Sequence, residues 1–398
     1  MERLRKIFAF VVLFTVTTLC GNIHAQILKD EEKGLQYYVI YGQSNNCEVR
    51  KLSDKDSYVI PATIIDGSKT YNVTRLSNFK NNTVMTSITL PESLKEIWNE
   101  SFQGCTALTS ITIPSKVKEI RANAFQNCTA LSSVTFSERE ESSLTLGSNA
   151  FQNTAITQIT IPEGPTFLPT SLFQGCNKLT KVNIPSTAAS IGTYCFYDCS
   201  ALESIVVPSS VTTISDRAFT NCTSLSSVTL NEGLTKIGPN ANGEVFRNCS
   251  SLTSITIPST VEKIGQGCFR ETKIETLDLS ETKLTEISSH LLNGQKSVTT
   301  VKLPLTVTQI GQQAFLNCTA LTTITGLNNV SDFQLEALRG CTALSSEITI
   351  EAPVKNLSER VFFSCTSLTK LFFTSETVVE GRTIKNDLVK NCSSLKEI

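Results

Sequence analysis

The sequence predicts an α/β solenoid: about thirteen to fourteen stacked coils, a parallel β-sheet along one side and a β cap at the N-terminus. Three observations predict it. A block ending in Ala-Phe-x-Asn-Cys, or a close variant, returns thirteen times along the 398 residues. The apolar residue leading each block recurs at steps of 22 to 27 residues, at Met85, Leu108, Leu131, Ile156, Leu179, Leu202, Leu225, Leu252, Ile274, Val298, Leu321, Leu344, Leu368 and Leu395. A period in this range means a stack of units, each making one coil. Inside each block the apolar spacing also changes, from every second residue to every third.

Residues 1–25 read as a secretory signal peptide. Arg3, Arg5 and Lys6 supply the positive start, Ile7 to Leu19 the apolar stretch, and Ala25 a small residue for cleavage. The stretch is too short to span a bilayer. Cys20 invites lipidation, but bulky Leu19 before it argues against that. The chain is therefore expected to be exported, to the extracellular space, the cell surface or the periplasm.

Residues 26–84 do not follow the repeat. Leu35 to Tyr41, Cys47 to Leu52 and Tyr58 to Ile65 read as strands, and Asp66-Gly67 as a hairpin turn before Thr70 to Leu76. An N-terminal β cap is the expectation, because the first coil would otherwise expose its interior.

Residues 85–398 read as the solenoid, with Leu108 to Ala130 as the type unit. Counting from Leu108, positions 4 and 6 are apolar (Ile111, Ile113) and positions 3 and 5 are Ser110 and Thr112, the period-two mark of a strand with one buried face. Proline follows at position 7 in seven units and ends the strand. Apolar residues three apart at positions 10 and 13, such as Val117 and Ile120, predict a turn and a short helical or 3₁₀ segment. Ala-Phe at positions 17 and 18 predicts a stacked phenylalanine column. Position 20 is Gly, Asn or Asp in eleven units, types that tolerate positive φ. Leu395 to Ile398 opens a fourteenth unit and stops; the chain is expected either to belong to a longer one or to end on an exposed edge.

Position 21 is cysteine in ten units. Cysteine there acts as a small buried filler or forms disulfides between neighbouring rungs, which export would permit. In-register side chains point the same way, which suits disulfide geometry poorly, so mostly free thiols are expected. Neither His nor a CxxC spacing accompanies the ladder, so no metal is expected.

The formal net charge of −1 removes bulk attraction to nucleic acid or anionic membrane. Past the signal only His290 remains as histidine. No paired-carboxylate, G-x-S-x-G or phosphate-loop motif is present, so no enzyme and no cofactor are expected. The outward Ser/Thr positions form a hydroxyl face that fits ordinary β propensity and could also hydrogen-bond glycans. Where that pattern breaks, a contact patch is the better expectation. The candidate ligand-binding residues are Lys181, Asn183, Glu203 and Val206, then Glu275, Asp278 and Lys302.

The pattern L-x-x-I-x-I-P-x-x-V-x-x-I-x-x-x-A-F-x-x-C closely resembles the BspA-like leucine-rich repeat of bacterial surface proteins, from about Met85 to Ile398 and faintly from Ser57 to Phe79. The resemblance implies a curved leucine-rich repeat superhelix with its parallel strands on the concave side. It also implies adhesion through a protein ligand, either host matrix or another bacterium's surface. A glycan-binding module is the alternative. The resemblance carries no catalytic residue, and a C-terminal anchoring region of the kind fuller members have is not recognisable.

Overall fold

The computed structural model describes residues 26–139, 143–345, 347–373 and 387–397. The signal-peptide reading and the last residue, Ile398, lie outside them. The chain is a β-solenoid of stacked coils with almost no helix. Its one helical turn among the described residues is the 3₁₀ segment Leu327–Asn329.

The N-terminal strands are β1 (Gln26–Asp30), β2 (Leu35–Ile40), β3 (Gln43–Lys51), β4 (Ser57–Val59), β5 (Thr63–Asp66) and β6 (Lys69–Ser77). Strands β1, β2 and β3 form an antiparallel meander. A tight turn joins β5 to β6 antiparallel, with Asp66 opposite Lys69 and Gly67 at φ 60. The single expected strand from Tyr58 to Ile65 is split in two, because Pro61 interrupts it. Strand β6 then pairs in parallel with both β3 and β8 (Glu96–Ile97), after β7 (Ser87–Thr89) has paired with β4. The coil pattern is thus already present between Ser57 and Phe79.

Each later coil presents three sides. The first is the expected strand: Ser110–Ile113 lies in parallel register with Ser133–Phe136, Ser110 beside Ser133. Its alternate residues are exposed and buried, as the period of two requires. The turn leaving it is closed by an amide three residues beyond proline, as in Val117 to Pro114 at 3.1 Å and Val211 to Pro208 at 3.0 Å.

The second side corrects the helical expectation. Positions 12 and 13 form a two-residue strand, as in Glu119–Ile120 beside Glu96–Ile97 and Thr213–Ile214 beside Lys236–Ile237. These parallel pairs make a second ribbon along the stack.

The third side holds the Ala-Phe residues, and it too is laddered. The amides of Asn123, Phe125 and Asn127 cross to the carbonyls of Ser148, Ala150 and Gln152 on the next coil at 2.9, 2.8 and 2.9 Å. Those of Ala124, Gln126 and Cys128 close turns within their own coil onto Arg121, Asn123 and Phe125. A helix would spend all these amides internally. Positive φ at Asn123 (56) and Asn127 (61) turns every second one outward instead. Position 20 was the expected left-handed site; position 16 is a second one.

The core is a continuous column of side chains. Phe102, Phe125, Phe151, Phe173, Phe196, Phe219, Phe246 and Phe269 are fully buried. Their rings stack at centroid spacings of 5.0 to 5.9 Å. Phe79 extends the column upstream at 5.7 Å.

Candidate binding surface

Hydroxyls do more structural work than a merely solvated face would need. At position 2, Ser132 donates to the Thr109 carbonyl of the preceding coil at 3.2 Å, and Thr180 to Thr157 at 3.0 Å. At position 11, Thr235 donates to Thr212 at 3.0 Å. Much of the Ser/Thr content therefore staples one coil to the next. The hydroxyls at positions 3 and 5 are exposed and leave the strand face polar and almost uncharged.

The candidate residues separate into two groups on this face. Lys181 and Asn183 are the exposed ends of Lys181–Asn183, paired in parallel with Gln158–Thr160. The Asn183 amide donates to Thr160 Oγ1 at 2.9 Å, while the Lys181 side chain has no ion pair or hydrogen bond among the described residues. Both line an open groove of about 650 Å³ with Ser133, Thr135, Gln158 and Glu163. The groove lies where Ser133–Phe136 and Gln158–Thr160 sit side by side without strand pairing. On the following coil Val206 is an exposed apolar residue, 59% accessible. Glu203 is exposed just before its strand, Ser204–Val207, at a position used elsewhere by a stapling hydroxyl.

The second group is four coils further on, about 19 Å at the usual strand spacing. Asp278 and Lys302 occupy matching places in Thr276–Asp278 and Thr300–Lys302 and form a 2.7 Å ion pair. Hydrogen bonds from Lys302 and then Ser280 hold the Asp278 carboxyl down at about 2. These two charges are spent on each other. Glu275 is exposed just before that strand. Of the seven residues, the structure therefore brings Lys181, Asn183 and Val206 onto one patch and pairs off Asp278 with Lys302.

The groove was not singled out in the sequence. Its signal is the 25-residue step from Leu131 to Ile156, whose extra residues follow Phe136. Arg139 from that segment donates to the Pro114 carbonyl at 3.4 Å and to that of Val117.

His290 Nδ1 lies 3.0 Å from the Asn293 side-chain amide, and burial followed by nearby Arg270 lowers its pKa. Among the described residues no three His, Cys, Asp or Glu side chains are placed to hold a metal ion, and no helix is long and apolar enough to cross a membrane. The thirteen described cysteines are free, twelve of them buried.

The family model for the BspA type leucine-rich repeat region matches residues 72–145, 144–243, 240–345 and 285–398, in 6 copies. Among solved structures, a leucine-rich repeat protein from Bacteroides ovatus is 22% identical, with a TM-score of 0.70 over 96% of this chain and 90% of that one. A leucine-rich cell surface protein from Faecalibacterium prausnitzii is 23% identical, with a TM-score of 0.54 over 95% and 94%. At these identities the likeness establishes the fold. No curated protein matches the chain. The repeat matches run from residue 72 through the stacked coils to the last residue, and on that ground the chain belongs to the BspA-type leucine-rich repeat family.

Proposed function

We propose that this chain is an exported, non-catalytic adhesion protein that binds a protein partner, host matrix or bacterial surface, through the strand face around Lys181, Asn183 and Val206. The observation supporting this reading is the open groove beside an unpaired Lys181 and an exposed Val206, on a rigid stack that needs no rearrangement to present them. A preformed surface spares the ordering cost of association. Strands β1 to β3 act as the cap: Tyr37, Cys47 and Val49 on them are fully buried in the same core as the first coils. The outward residues of Ser110–Ile113 and Ser227–Leu230 are hydroxyls alone, with no ring among them, so the glycan alternative draws little support from that face.

The test is capture of the purified protein by immobilised host matrix proteins, comparing the parent with a Lys181→Glu, Asn183→Lys double variant. Loss of capture with an unchanged melting temperature supports the reading. Unchanged capture disposes of the patch, and hydrolase or transferase turnover by the parent disposes of the non-catalytic assignment.

A further inference from the structure

A second surface lies on the third side of the coils. Gln103, Gln126, Gln152 and Gln174 form a file of side-chain amides, each donating to the next, with 2.8 Å between Gln152 and Gln174. The next place in that file is Tyr197. Its ring meets Tyr194 edge to face, centroids 5.4 Å apart at 78°. Both rings are partly exposed. On the following coil, Arg217 Nη1 donates to the Tyr194 hydroxyl at 3.1 Å, and Asn221 donates to Asp198 at 2.6 Å.

Tyr194 sits at position 16, with φ 57. The left-handed conformation recurs at this place whatever the residue, with Asn123, Asn149, Gly267, Glu100, Arg217 and His290 all holding positive φ there. The fold does not require tyrosine there.

The exposed large apolar residues between Gln152 and Asn248 are Phe167 and Val206, and neither belongs to this file. Here two rings are bordered by the Gln174 and Asn221 amides, the Asp198 carboxylate and the Arg217 guanidinium, polar groups that hydrogen bonds already hold beside an apolar surface. We infer that this patch binds a neutral carbohydrate chain. A pyranose C–H face lies against the tyrosine rings, and its hydroxyls bond Gln174, Asp198 and Asn221. This reading uses a different face from the protein-binding proposal and does not rest on it.

The test is calorimetric titration of the purified protein with a panel of neutral glucose, mannose, xylose and N-acetylhexosamine oligosaccharides. The parent is expected to bind at least one. Tyr197→Ala should weaken that binding about tenfold or more, Tyr197→Phe should retain it, and Lys181→Glu should leave it unchanged. Tyr194→Asn decides the matter if Tyr197→Ala fails to fold. It should stay folded, because asparagine already holds the matching left-handed place at Asn123 and Asn149, and yet bind more weakly. No binding across the panel, binding lost on Lys181→Glu, or parent-like binding by Tyr194→Asn and Tyr197→Ala would each overturn the inference.

Discussion

The side-chain amide of Gln295 donates to the carbonyl oxygen of Phe269 on the preceding coil at 3.3 Å. On ten other coils a cysteine thiol does the same, as Cys128 to Phe102 at 3.0 Å and Cys222 to Phe196 at 3.2 Å. The cysteine ladder is thus a line of buried donors to the backbone of the core column. Cys222→Ala should cost about 1–3 kcal/mol, from a small cavity and a carbonyl left with fewer partners. Cys222→Ser, which keeps a donor, should cost less. Urea unfolding of both variants checks this, and serine proving the worse of the two would remove the donor role.

Burial is the first cause raising the ladder thiols, to about 11 at Cys105 and Cys176 and about 12 at Cys318. Since thiolate is the reactive form, native protein at pH 8 should resist labelling by a disulfide reagent until denatured. Cys392, only partly buried, should react first. Rapid native labelling of several thiols, or bridges between neighbouring rungs found without reductant, would contradict the arrangement.

The same shifts set a pH window. A thiol whose folded pKa lies above its unfolded value stabilises fully below the unfolded pKa, near 9. That contribution is lost as pH rises through the folded value, about 11 to 12 for these groups. Stability should therefore hold up to about pH 9 and fall above it. Denaturant midpoints from pH 7 to 11 test this; a midpoint unchanged at pH 11 would show that the thiols do not titrate with unfolding.

Close packing of coils makes some glycines irreplaceable. A Cβ on Gly265 would lie 1.8 Å from the Gly238 carbonyl oxygen, whereas one on Gly294 would meet nothing within 4 Å. Gly294→Ala should cost only the left-handed penalty of about 1–2 kcal/mol. Gly265→Ala should cost clearly more, because backbone must move. Phe219→Ala, from the middle of the column, should cost about 3–5 kcal/mol. Melting temperatures of the three rank them, and a Phe219→Ala variant melting with the parent would place that ring outside the core.

What could be read in advance follows from how each feature repeats. The phenylalanine column, the strand with Ser110 and Thr112 outward, and positive φ at Asn127 were legible because residue types fitted to them recur. The second ribbon was not. A strand of two residues, Glu119–Ile120, shows no alternation, and its spacing from Val117 imitates a helix. Positive φ at position 16 was hidden because Glu100, Tyr194, Arg217 and His290 occupy it, none a type that signals a left-handed turn. Of the candidate site, Lys181 and Asn183 stood out as breaks in a hydroxyl pattern. The Asp278–Lys302 pairing did not, since it depends on the parallel register of two coils.

The most direct measurement is the affinity of the parent and of a Lys181→Glu, Asn183→Lys double variant for the matrix protein that captures the parent, at low and raised salt. The double variant should fold as the parent does and lose about tenfold or more in affinity. Parent binding should weaken only modestly with salt, because the strand face carries few unpaired charges. Parent-like affinity in the double variant, or parent binding abolished by salt alone, would contradict it.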